Sequence, residues 1–160
     1  MKNELHQAHL SLGSNIEPQT NLPRAVEFLK QYGQVVKSSR VWESQSVGAE
    51  GPHFLNACAL YLTELKPVEL KERVIRPIEA EMGRVRNADK FAPRSIDIDI
   101  VLFDDRPLNT DYWEYAFVIV PLAELLPGFL HPARRERLSR VSEQIQAQVW
   151  IVPRADVVIS

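Results

Sequence analysis

At 160 residues, with 45% hydrophobic and 25% charged side chains, the chain has the make-up of a soluble globular protein and the length of one domain, residues 1–160, with a real core. A net charge of −2 gives no general attraction to nucleic acid or to a membrane surface, and the single cysteine, Cys58, excludes an internal disulfide and a cysteine-rich metal centre. No apolar run approaches membrane-spanning length and the opening MKNELHQ has no secretory apolar core, so a cytoplasmic protein is expected, with neither nucleic acid nor membrane as partner.

Ala8–Leu12 alternates as a short strand. Gly13, Ser14 and Asn15 are expected to end it in a turn, with Gly13 able to take positive φ and the two polar side chains holding the bend. Leu22, Ala25, Val26 and Leu29 then recur at helical spacing, which predicts a helix from Pro18 to Tyr32 stopped by Gly33. Val35–Glu43 reads as a strand, Ser44–Pro52 as a loop and Phe54–Thr63 as a second strand paired with the first. Cys58 falls in that apolar run and is expected to be a small buried hydrophobe. Pro67 opens the next helix, whose buried stripe is expected to be Val68, Leu70, Val74, Ile75, Ile78 and Met82. Pro77 lies inside it and predicts a kink.

The chemistry concentrates between Gly83 and Phe103. Ser95, Asp97 and Asp99 share one face of a predicted strand, and Ile96, Ile98, Ile100 and Leu102 the other. Residues i and i+2 on a strand stand about 7 Å apart. Two carboxylates so placed repel unless a cation sits between them, and oxygen-only ligands suit Mg²⁺, singly or as a pair of ions. Arg84, Arg86, Lys90 and Arg94 surround Phe91 and Pro93 just upstream. Guanidinium forks beside a diacid are what a metal-bound polyphosphate needs. The competing reading is a solvated polar face with the arginines as its ion-pair partners.

The order so far, βαββαβ, predicts an α+β, ferredoxin-like antiparallel sheet with its helices on one face. Beyond it come an aromatic and acidic stretch, DYWEYAF, and an apolar one, VIVPLAELLP. A helix over Pro132–Gln146 and a strand over Val149–Ile159, interrupted by Pro153, are expected as a C-terminal extension.

The run P-R-x-x-D-x-D-I-V-L-F, preceded by G-R-x-R, resembles the signature of the 6-hydroxymethyl-7,8-dihydropterin pyrophosphokinases. L-G-S-N near the start and L-N-A in the centre stand in the same order, so the likeness runs from Leu12 to about Pro132. It implies the same ferredoxin-like fold and Mg²⁺-dependent transfer of pyrophosphate from ATP to a pterin alcohol, with AMP released, in folate biosynthesis. It implies that Phe54 and Phe117 stack on the two faces of the pterin, and that Asn56, the Ser44 hydroxyl and the Val47 backbone read its edge. Asp97 and Asp99 match the ligands of two Mg²⁺ ions. Arg84 and Arg94 match phosphate-binding arginines, and Glu79 and Ile100 match positions lining the nucleotide pocket. Arg86 and Phe91 fall on a loop that closes over the substrates.

The likeness breaks on the nucleotide side. The family carries a longer piece with V-P-H and an arginine there, whereas this chain has only NTDYWEYAF and no histidine or arginine from Pro107 to Leu130. Tyr112, Trp113 and Tyr115 stand in that shortened segment; packing against the C-terminal helix is the favoured role for Trp113 and Tyr115, and stacking on an adenine the alternative. Two readings therefore compete: the pyrophosphokinase itself, and a non-catalytic or altered-specificity paralogue that binds a pterin-like heterocycle. A ferredoxin-like RNA binder lacks its aromatic signature here.

Overall fold

The computed structural model describes residues 4–46, 51–83 and 94–159. In chain order these form β1 (His6–Ser14), α1 (Pro18–Tyr32), β2 (Gln34–Ser38), β3 (Trp42–Ser44), β4 (Phe54–Thr63), α2 (Pro67–Leu70), a π-helical segment (Lys71–Ile75), α3 (Arg76–Glu81), β5 (Asp97–Phe103), β6 (Arg106–Pro107), a 3-10 turn (Thr110–Glu114), α4 (Ala116–Leu125), α5 (Leu138–Gln146) and β7 (Ile151–Pro153). The strands make one sheet in the order β6-β5-β1-β4-β3-β7, with β2 also paired to β4. Every pairing is antiparallel. No helix among the described residues is long and apolar enough to cross a membrane.

Both faces of the sheet are covered. On the first, Leu10 and Leu12 of β1, Ala57 and Tyr61 of β4, and Ile98 and Ile100 of β5 pack against Leu22, Val26 and Leu29 of α1 and Leu70, Val74 and Ile78 of the second helical run. On the second, Trp42, Cys58, Val101 and Leu102 meet Val118, Ile119 and Leu122 of α4 and Leu138 and Val141 of α5. Fully burying each Leu or Ile contributes roughly 1.5–3 kcal/mol, so either layer is indispensable. The two helices of the βαββαβ unit thus lie on one face as the pattern predicts, and the C-terminal extension forms the layer on the other.

Local departures from the sequence reading have identifiable causes. The strand expected over Val35–Glu43 is two strands, because Ser39 turns its hydroxyl to the Cys58 amide, 2.8 Å away, and the Arg40 amide turns to Glu124. Gly13 lies inside β1, paired with Asn56 and Asp97, and does not adopt positive φ. Gly33 is extended (φ −174°). A Cβ there would lie 2.5 Å from the Tyr61 hydroxyl, which donates to the Leu29 carbonyl at 2.7 Å. Close approach is therefore what requires glycine at that position. Pro77 lacks the N–H of a regular turn, and the chain widens just before it, with the Arg76 amide reaching back to Lys71 in a π-type bond. Val68, expected in the buried stripe of the second helix, is 69% exposed, because it falls in the first turn of α2, where only Leu70 faces the core. The helix expected from Pro132 begins at Leu138, and the terminal strand is confined to Ile151–Pro153.

One irregularity sets the orientation of β5. Leu10 pairs with Ile100 but His9 pairs with Leu102, so Val101 is an extra residue, a bulge. Val101 and Leu102 consequently both join the second core, and Phe103 returns to the first. Leu102 therefore faces the side opposite to the one that strict alternation predicts.

His9 is 3% exposed, its Nδ1 has no hydrogen-bond partner among the described residues, and it is flanked on neighbouring strands by Leu60 and Leu102. Burial is the main cause that holds its pKa below the usual histidine range; Asp105 opposes the shift and Lys37 adds to it. The folded state thus binds this proton less readily than the unfolded chain, so stability falls as pH drops below about 6.5, the unfolded value. Thermal unfolding between pH 7.5 and 5 is expected to show this slope, and His9→Leu to flatten it. An unchanged slope in that variant would remove His9 as the cause.

Candidate active site

A cavity of about 390 Å³ opens on the second face of the sheet, at the end that α4 leaves uncovered, lined by side chains from β1, β3, β4, β5, the 3-10 turn and the start of α4. Its floor follows from strand register. Gly13 pairs with Asn56 on one side and Asp97 on the other, and Ser11 pairs with Asp99. Directly opposed residues project to the same face, so the alternation that buries Ile98 and Ile100 lifts both carboxylates into the cavity. Gly13 keeps the floor low between Asn56 and Asp97. A Cβ on it would stand 3.0 Å from Asn56 Oδ1 and 3.6 Å from Phe54 Cδ1.

Asn56 is 2% exposed, and its Nδ2 donates to Ser44 Oγ at 2.7 Å. That bond fixes the amide plane and turns it along the cavity wall. Phe54, from the same face of β4, and Phe117, from the first turn of α4, also line the space. An amide and a hydroxyl between two aromatic rings can hold a flat heterocycle by stacking and read its polar edge.

Arg94 enters at the start of β5 with its Nη1 3.0 Å from Asp97 Oδ2, the two side chains being 22% and 23% exposed. Its backbone is tied down by Asn15. The Arg94 amide donates to Asn15 Oδ1 at 2.6 Å, and the Asn15 amide donates to the Arg94 carbonyl at 3.0 Å. Asn15 Nδ2 also reaches the Pro52 carbonyl at 3.4 Å. The turn after β1 is thus a strap that aligns the entries of β4 and β5, a role that local turn propensity alone does not reveal.

The structure brings together Ser44, Phe54, Asn56, Arg94, Asp97, Asp99 and Phe117. Val47, Arg84, Arg86 and Phe91 lie outside the described residues. Glu79 and Ile100 are not brought to the cavity wall. Glu79 is 3% exposed, and its carboxylate accepts the Ile98 amide at 3.1 Å. The Ile100 side chain sits in the first core, and its carbonyl accepts from Asn109 Nδ2 at 3.0 Å. Both bonds serve backbone groups that β5 turns away from β1, which is how a strand edge is kept from open exposure.

The segment from Asn109 to Tyr115 supplies wall residues whose role the sequence alone does not decide. Asn109, Asp111, Tyr112 and Tyr115 all line the cavity. Trp113 does not: it is fully buried, its indole N–H directed at the carbonyls of Val101 and Leu108 (3.2 and 3.3 Å).

A family model described as 7,8-dihydro-6-hydroxymethylpterin-pyrophosphokinase matches residues 9–127. The 2-amino-4-hydroxy-6-hydroxymethyldihydropteridine pyrophosphokinase of Bacillus subtilis is 35% identical, over 89% of this chain and 89% of that protein. The Synechocystis protein of the same name is 31% identical, over 93% and 82%. A folate synthesis bifunctional protein of Arabidopsis thaliana is 36% identical over 73% of this chain, which spans only 26% of that longer protein. The crystal structure of Plasmodium falciparum HPPK-DHPS with pterin and p-hydroxybenzoate superposes with a TM-score of 0.68 at 14% identity, over 92% of this chain and 44% of that one, and supports the fold alone. A family model covering most of the chain, and bacterial relatives matched along most of their length, lead to one conclusion: the chain belongs to the 7,8-dihydro-6-hydroxymethylpterin-pyrophosphokinase family.

Proposed function

We propose that the chain performs its family's reaction in this cavity: pyrophosphate passes from ATP to 6-hydroxymethyl-7,8-dihydropterin. The hydroxymethyl oxygen forms a bond to the β-phosphorus, its proton passing to solvent, while the bond from that phosphorus to the AMP oxygen breaks. Family membership makes the chain an ATP-dependent pyrophosphokinase of folate biosynthesis. The observation that carries the site assignment is the shared cavity, in which Ser44, Phe54, Asn56 and Phe117 stand opposite Arg94, Asp97 and Asp99.

The first group would clamp the pterin between two rings and set its rotation through the Asn56 amide. The second would receive the polyphosphate, with Arg94 donating to its oxygens. Little covalent work is asked of the side chains; alignment of the alcohol with the phosphorus supplies the rate. Asp97 and Asp99 offer only hard oxygen donors, which fits Mg²⁺. Among the described residues no group of three acidic, histidine or cysteine side chains forms a metal cage. An ion held by two carboxylates that completes its shell with phosphate and water is in keeping with magnesium's habit. Bound there, one or two such ions would neutralise polyphosphate charge. Arg84 and Arg86 would add cations, and Val47 a backbone contact to the pterin. The same reading takes residues 1–160 as one cytoplasmic domain acting on small molecules.

The test is AMP release from Mg-ATP with and without the pterin alcohol, beside calorimetric titration of each ligand. Pterin-dependent AMP formation is expected. Pterin binding with no AMP formed would overturn the kinase and leave a binding protein.

A further inference from the structure

The pterin clamp and the diacid account for two sides of the cavity. The third side, Asn109 to Tyr115, is built with unusual firmness for a surface segment. Trp113 anchors it at the centre, fully buried and directed at the Val101 and Leu108 carbonyls. The Trp113 carbonyl accepts from His131 Nε2 at 2.9 Å, and the tautomer is fixed because His131 Nδ1 accepts the Ala133 and Arg134 amides, both at 3.1 Å. Asn109 ties the start of the segment to Ile100 of β5. The segment is therefore locked to the strand that carries Asp97 and Asp99.

This pedestal presents aromatic faces to the cavity. Tyr115 is 37% exposed and lies nearly parallel to Phe117, with centroids 5.1 Å apart and planes at 12°. Tyr112 tilts against Tyr115 at 6.3 Å and 53°. The rings form a continuous series that starts at the pterin clamp and continues along the cavity wall. A cavity of about 390 Å³ lies near the lower end of the size that encloses one small ligand. With two substrates to admit, the larger must extend over an open wall, and Asn109, Asp111 and Tyr115 are the exposed part of that wall.

We propose that Tyr112 and Tyr115 form the face on which the purine of the nucleotide donor stacks, so that the 109–115 segment determines nucleoside specificity. This rests on the pyrophosphokinase reading of the cavity. Stacking on a preordered ring costs little conformational entropy and needs no cation.

The test uses the full chain and three ligands: Mg-ATP, Mg-tripolyphosphate, which lacks the nucleoside, and the pterin alcohol. In the double variant Y112A/Y115A, affinity for Mg-ATP is expected to fall by about ten-fold, the effect of losing base–aromatic stacking. Mg-tripolyphosphate affinity is expected to be unchanged. Y112F/Y115F, which keeps the rings and the packing, should restore Mg-ATP affinity. Equal losses for Mg-ATP and Mg-tripolyphosphate would overturn the proposal, as would an unchanged Mg-ATP affinity or an effect confined to the pterin. Failure of the kinase reading is distinct: the wild-type chain would then release no AMP, whatever the tyrosines do to binding.

Discussion

Asp97→Asn is expected to lower pterin-dependent AMP formation by ~10³-fold or more, the scale of losing a principal charge-stabilising group in a buried site. The substitution keeps the volume and the strand. What it removes is the charge that Arg94 meets at 3.0 Å and that a magnesium ion would meet from the cavity side. Both side chains are nearly four-fifths buried, so solvent screens the pair only in part, and its loss should cost ~1–3 kcal/mol of stability. Steady-state rates and a thermal melt measured together separate the two effects. Near-normal turnover in a folded variant would remove the diacid from the chemistry and return it to the solvated-face reading.

Gly13→Ala should produce a large defect on the pterin side alone. A methyl group there meets Asn56 Oδ1 at 3.0 Å and Phe54 at 3.6 Å. Asn56 has little room to withdraw, being 2% exposed and bonded to Ser44. A displaced amide leaves its polar edge misaligned with the heterocycle, and a buried mismatch of that kind costs roughly 1–3 kcal/mol, or ten- to a hundred-fold in pterin affinity. Titration of pterin and of Mg-ATP against the variant measures both sites. A parallel loss of ATP affinity would mean that the methyl group distorts β1 as a whole.

The sequence reveals the parts of this site that obey a period. Asp97 and Asp99 stand out because isoleucines alternate with them, and the stripe from Leu22 to Leu29 announces α1. Other features depend on neighbours distant in sequence. Gly13 reads as a turn residue because nothing local shows that Asn56 and Phe54 crowd the space where its side chain would stand. α4 escapes periodicity because Val118 to Ala123 are all buried, leaving no polar face to set against an apolar one. Trp113 and Tyr115 are two aromatics in one short stretch, yet the fold assigns one to the core and the other to the cavity. The choice is made by the Val101 and Leu108 carbonyls and by His131, which lie up to 18 residues away.

The bulge at Val101 also bears on how the family's sequences can change. On a strand, the face a residue occupies is a matter of odd or even count, and one inserted residue reverses the parity of everything beyond it. β5 needs both parities: carboxylates to the cavity at its start, Phe103 to the opposite layer at its end. Val101 is the residue that shifts the phase. Deleting it would force either the diacid or the β5–β6 hairpin onto the wrong side of the sheet, so this strand should accept many substitutions and very few changes of length. The segment after the hairpin is under no such constraint, since it leaves the sheet.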